Sequence, residues 1–363
     1  MKKVLIRLTS ATVLVCGALA SAQVEYVDPS MGGQGFMLEP TRPTVSLPNS
    51  MVRVYPVRKD QLDDQIHSFP LTIISHRLGE LFWLMPGSRS SDADAWKRPQ
   101  AYDQEIETPY YYTARFDDSL IRTEFTPTER CGYFRFTFPT GNAVVSLANR
   151  REGELTPGDA NSISGYEKFR GESRLSSGEM RVFVFGEFNE PLKAEKRAGG
   201  PGGHLFITAQ APSKVLEFRY GISFISIEQA KKNLRKEIPE WNFDKVKDHA
   251  RAHWNEVLGQ VQVKGGTPEQ KRVFYTSLYR CYERMVNISE DGQYYSAFDH
   301  KVHQDSRPFY VDNWLWDTYR ALEPLQTLLN PEAEADKVQS YVRMYEQSGW
   351  LPTFAVLWAT TSA

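Results

Sequence analysis

Gly132-Tyr133-Phe134-Arg135-Phe136-Thr137-Phe138 decides how the N-terminal part of the chain is read. Tyr133, Arg135 and Thr137 fall on one side and Phe134, Phe136 and Phe138 on the other, the period of two expected of a strand with one face on a core. Pro139-Thr140-Gly141-Asn142 ends it as a turn, and Ala143 to Leu147 is the next apolar run. Upstream, Pro109-Tyr110-Tyr111-Tyr112 leads to the turn signal Asp117-Asp118 and then to Leu120 through Phe125. Earlier still, Leu81-Phe82-Trp83-Leu84-Met85 is closed by Pro86-Gly87. Arg181 to Phe185 and Leu216 to Phe224 alternate in the same way. Short period-2 runs separated by Gly, Pro and Asp turns predict an all-β antiparallel sandwich over residues 23–225. The absence of helical patterns between the runs argues against a parallel α/β sheet.

The character changes at Ser226. Ser226 and Gln229 form a capping-box pattern, with Ile227, Ala230, Leu234 and Ile238 on one helical face and Pro239 as the stop. Asn242 caps a second helix whose stripe is Phe243, Val246, Ala250, Trp254 and Val257, ending at Gly259. These two make a helical linker over 226–260. A short strand is expected at Val261-Gln262-Val263, then a helix opening at Thr267-Pro268-Glu269-Gln270, with Phe274, Leu278, Cys281, Tyr282 and Met285 as its apolar face. A fourth helix is expected from Asp312 or Asn313, through Trp314, Thr318, Ala321, Leu322 and Leu325, divided by Pro324. A fifth runs from Asn330-Pro331 through Val338, Tyr341, Val342 and Tyr345 to Gly349. Three helices cannot cover one another's stripes and also the run Phe354 to Trp358, so the second domain (261–363) is expected to be truncated.

Composition bounds the function. The 363 residues are 41% hydrophobic and 24% charged with a net charge of −2, which fits a globular protein and disfavours nucleic acid as a partner. Lys2 and Lys3, an apolar stretch from Ala11 to Ala20, and Ala20-Ser21-Ala22 before Gln23 read as a signal peptide over 1–22. The mature chain is expected to be secreted or periplasmic, monomeric and free of membrane. Three cysteines exclude a disulfide scaffold, and Cys131 and Cys281 are expected to be free thiols.

No P-loop, zinc helix or nucleophile elbow is present. Gly199-Gly200-Pro201-Gly202-Gly203 reads as a hairpin loop, Asp92-Ala93-Asp94 as a solvated loop, and His300 and His303 with Asp299 and Asp305 as a polar loop. Two stretches stand out. In Trp314-Leu315-Trp316-Asp317-Thr318-Tyr319-Arg320, Asp317 sits in the first turn of a helix. Its bland role is a pair with Arg320. Its functional role is a sugar subsite, the indoles taking the apolar ring face and the carboxylate accepting from hydroxyls. In Ser75-His76-Arg77-Leu78-Gly79, His76 is either a hydrogen-bonded loop residue or a rim residue facing the helical domain.

These pieces together resemble glycoside hydrolase family 92, the exo-acting α-mannosidases. The matching stretches include Tyr26-Val27-Asp28-Pro29, Thr108-Pro109-Tyr110-Tyr111, Gly265-Gly266-Thr267 through Tyr279, Lys301-Val302-His303-Gln304, Trp316-Asp317-Thr318 and Gly349-Trp350-Leu351-Pro352. The resemblance implies a sandwich packed on an (α/α)6 barrel and calcium-assisted, inverting release of terminal mannose from glycans, with α-1,2 linkages favoured. It implies that Asp317 contacts substrate, and Trp316 and His76, from the readings above, are expected to join it. It places the catalytic acid and base and the calcium ligands beyond Ala363, so no catalytic residue is expected in this chain, which alone is expected to be inactive. The Ser75 to Gly79 stretch is shorter than the family's Ser-His-Thr-His-Leu-Ser-Gly. The rival reading is a secreted, non-catalytic glycan-binding sandwich protein.

Overall fold

Strand Cys131–Thr137 is the central strand of a nine-stranded sheet. The computed structural model describes residues 23–34, 41–75, 78–87, 97–141, 143–173, 176–197, 202–210 and 213–357. The predicted signal at 1–22, His76, Asp92 through Asp94, Gly199 through Pro201 and Trp358 lie outside the described residues. The sheet runs in the order Gly153–Pro157, Ser162–Ser173, Ser176–Phe188, Val215–Ser223, Cys131–Thr137, Arg122–Pro127, Tyr111–Phe116, Gln100–Thr108, Gln65–Ile66, each neighbour antiparallel. A second, four-stranded antiparallel sheet orders Leu192–Arg197, His204–Ala209, Val144–Ala148 and Trp83–Gly87.

The two sheets bury a shared core. Phe134 faces Phe125 on one neighbouring strand and Phe218 on the other, and Leu84, Val145, Leu147, Leu205 and Ile207 meet them from the second sheet. The outer face of the central strand is covered as well. Tyr133 is as inaccessible as Phe134 because it packs with Ala230, Leu234 and Phe243 from the helices that follow. Arg135 lays its guanidinium 4.2 Å from the Phe243 ring centroid while donating to both Glu124 oxygens at 2.8 and 2.9 Å. Gly221 makes the approach possible, since a Cβ there would stand 2.2 Å from the Ala230 carbonyl oxygen.

The helices on that face are α1 (Ile227–Glu237) and α2 (Phe243–Leu258). Ser226 Oγ accepts from Gln229 N–H at 3.1 Å and Asn242 Oδ1 from Lys245 N–H at 3.0 Å, as the capping residues predict. Helix α3 (Pro268–Arg280) opens with the full reciprocal box between Thr267 and Gln270.

Several local expectations are corrected. Val261 through Val263 is not a strand. The Tyr275 hydroxyl accepts from Val263 N–H at 3.2 Å and donates to Val261 C=O at 3.0 Å, standing in for a strand partner. The buried face of α3 is Tyr275, Leu278 and Tyr279, while Phe274 is exposed. Buried tyrosines win there because their hydroxyls reach acceptors, Thr44 C=O for Tyr279 and Gln260 Oε1 for Tyr282 just beyond the helix. Asn313–Trp314 is a strand paired with Phe354–Ala355, so the next helix, α4 (Leu315–Thr318), starts later than expected. Pro324 does not divide a helix; it lies in the first turn of α5 (Leu322–Leu329), where no intrahelical donor is needed.

Helix α6 (Pro331–Ser348) closes on Gly349 at φ 82. It buries Glu334, Lys337, Ser340, Arg343 and Met344 and leaves Val338, Val342 and Tyr345 in solvent.

Candidate glycan site at the junction of sandwich and helices

The short strand Asn313–Trp314 hands the chain directly to α4, and this sets two indoles side by side. Trp314 and Trp316 stack with centroids 6.1 Å apart and planes 19° apart. Phe354, on the paired strand, meets both rings edge-on at 5.6 and 6.0 Å. Trp316 is thereby held in place while 54% exposed, and Trp350 is 60% exposed. An anchored, solvent-facing indole is a surface onto which the apolar face of a pyranose can settle.

Asp317 is exposed in the first turn of α4 and makes no side-chain hydrogen bond or ion pair among the described residues. The expected pair with Arg320 does not form. Helix α4 ends at Thr318, so Arg320 is not one helical turn above Asp317, and its Nε donates instead to the Tyr319 hydroxyl at 2.7 Å.

Behind the indoles lies a buried ionic tie between the two halves of the chain. Arg53 Nη1 is 2.7 Å from Asp312 Oδ2, with both side chains almost fully buried, and Arg53 Nη2 donates to Ile73 C=O at 3.2 Å. Ser75 Oγ donates to Asp312 Oδ1 at 3.1 Å. A sandwich arginine, a sandwich serine and the residue before the Asn313–Trp314 strand are thus locked together. Burying such a pair is compensated only when the remaining lone pairs are filled, as Ser75 does here.

Arg284 lies over the inner indole. Its guanidinium is 5.4 Å from the Trp314 ring centroid. Burial pulls its pKa below the usual guanidinium value, against the opposing charges of Asp312, Glu283 and Asp317. Burial likewise pushes the neighbouring Glu283 carboxyl up, opposed by Arg280 and Arg284.

Of the residues singled out from sequence, Trp316 and Asp317 are adjacent and solvent-facing, and His76 lies outside the described residues. Sequence reading missed Arg53, Asp312, Glu283 and Arg284. No motif marks them, and Arg53 and Asp312 are 259 positions apart. His303 also departs from expectation. Lys301–Gln304 is a strand paired with Gln293–Ser296 rather than a loop, and His303 Nε2 lies 3.0 Å from both Asp299 oxygens. Among the described residues no group of three His, Cys, Asp or Glu side chains is placed to hold a metal ion.

Residues 26–223 match the family model described as the glycosyl hydrolase family 92 N-terminal domain, and residues 229–362 match that of the family 92 catalytic domain. The chain belongs to glycosyl hydrolase family 92. The structure of a family 92 inverting mannosidase from Bacteroides thetaiotaomicron superposes with a TM-score of 0.83 at 27% identity, over 92% of this chain and 50% of that one. A family 92 α-mannosidase from the same organism shares the fold at 21% identity, with a TM-score of 0.79 over 93% of this chain and 51% of that one. An uncharacterized secreted glycosidase from Arthroderma benhamiae is 26% identical over 58% of this chain and 32% of its own length. This family 92 chain therefore spans about half the length of the solved relatives and a third of the curated one. What it shares with the solved relatives is the β-sandwich followed by helices.

Proposed function

We propose that the junction around Trp316 and Asp317 is the sugar-contacting part of an exo-acting, inverting α-mannosidase, with terminal α-1,2-linked mannose on exported glycans as its substrate. The observation that carries this is the exposed, unpaired Asp317 carboxylate beside an anchored indole, at the seam between sandwich and helices in a family 92 chain. The indole receives the ring's C–H face, and the carboxylate, an acceptor only, takes hydrogen bonds from hydroxyls.

Inversion calls for an acid and a base roughly 6.5–9.5 Å apart with a water between them. We assign neither to a residue here and propose that both come from the half of the relatives' length that this chain does not span. Calcium, which the family resemblance implies, finds no fitting donor set among the described residues, so no step is routed through it. Among the described residues no helix is long and apolar enough to cross a membrane.

The test has two arms. The 363-residue chain is expected to bind methyl α-D-mannoside saturably, to lose that binding on Asp317→Ala or Trp316→Ala with its melting temperature unchanged, and to release no mannose from an α-1,2-mannobiose. Undiminished binding by both variants would sink the site assignment. Mannose release by this chain would overturn the proposed placement of the acid and base.

A further inference from the structure

The cations around the candidate site are not alike. Arg53 is neutralised by Asp312, Arg320 donates to Tyr319, and Arg280 donates to the carbonyls of Pro29 and Met31 at 3.0 and 2.6 Å. The half-buried Arg284 makes no side-chain hydrogen bond and no ion pair among the described residues. Its guanidinium lies over the face of Trp314. Among the described residues no Arg284 nitrogen is one of the buried unpartnered atoms, so its donors face solvent and are open to an acceptor supplied by a ligand.

The chemistry of the surroundings narrows what that ligand is. Arg284 is donor only and Asp317 acceptor only, and the Asp317 charge is one of those that oppose the effect of burial on Arg284. A sugar hydroxyl is both donor and acceptor. Two neighbouring hydroxyls therefore complement this pair, one giving to the carboxylate and one receiving from the guanidinium. The stacked indoles supply the apolar floor.

We propose that Arg284 is a specificity-determining residue of this site, donating to one ring hydroxyl of a hexose while Asp317 accepts from its neighbour and Trp316 carries the ring face. This rests on the reading of the junction as a sugar site and adds to it the residue that discriminates among hydroxyl patterns.

The experiment is a tryptophan-fluorescence titration of the full 363-residue chain with methyl α-D-mannoside and with the set of its monodeoxy analogues. The wild type is expected to bind the parent about tenfold or more tightly than at least one analogue. Arg284→Met should weaken the parent by about 10- to 100-fold, the range for losing a hydrogen bond to a charged group, and erase the preference over that analogue. Arg284→Lys, which keeps the charge without the planar fork, should fall between the two. The melting temperature of Arg284→Met should equal or exceed that of the wild type. Wild-type affinity in Arg284→Met, or an equal loss for the parent and every analogue, overturns the proposal and leaves the sugar site standing. A wild-type chain that binds no mannoside overturns both.

Discussion

Strand Cys131–Thr137 and helix α6 both carry regular apolar patterns, and they meet opposite fates. The strand is covered twice, by the second sheet on its phenylalanine face and by α1 and α2 on its tyrosine face. Helix α6 turns Glu334, Lys337, Ser340 and Arg343 inward and its valines outward. The inward polar groups are tied down. Lys337 lies 3.3 Å from Glu334, Arg343 lies 2.6 Å from Asp305, and Ser340 Oγ accepts from Tyr310 N–H at 2.9 Å. A polar face can thus be buried when each group finds a partner, and an apolar stripe does not by itself say where the core is.

The sharpest way to break this contrast is at the core. Phe134→Ala removes a ring flanked by Phe125 at 4.7 Å and Phe136 at 5.7 Å and should cost about 3–5 kcal/mol in urea denaturation. A loss under about 1 kcal/mol would mean that the central strand is not the keystone of the sandwich. Close behind comes the tie between the halves. Arg53→Met leaves the Asp312 carboxylate buried without its counter-ion and should destabilise by about 3–5 kcal/mol. Pairing it with Asp312→Asn should recover part of that loss, and a double variant no better than the single would discount the ion pair.

A smaller effect is set by pH. Glu290 is fully buried under the seam, accepting from Phe224 N–H at 2.9 Å and Asn233 Nδ2 at 2.8 Å, and burial pushes its pKa up to about 7 from 4.5. The folded chain therefore holds this proton more tightly than the unfolded chain does. The resulting stability is complete below pH 4.5 and fades as pH rises through 7, by at most about 3 kcal/mol. Glu290→Gln should flatten that part of the pH–stability curve, and an unaltered slope would assign it elsewhere. The smallest change is expected on α6, where Val338→Ser with Val342→Ser should move stability by no more than about 0.5 kcal/mol while lowering binding of an apolar dye. A large loss would show that this stripe is covered in solution.

The capping residues and the period-2 runs were legible because each is a local effect: Ser226, Asn242 and Thr267 satisfy orphan amides within three residues, and alternation follows from the pleat. The Trp316-Asp317-Thr318 motif was legible for the same reason, its residues being neighbours in the chain. What only the tertiary structure decided depends on partners far away in sequence. Asn313–Trp314 became a strand because Phe354–Ala355 pairs with it, and α3 buried tyrosines because acceptors at Thr44 and Val261 were within reach. Arg284 took its place over Trp314 by packing alone. Sequence encodes what a residue can do within a turn or a pleat; which long-range partner satisfies it is fixed only when the chain closes on itself.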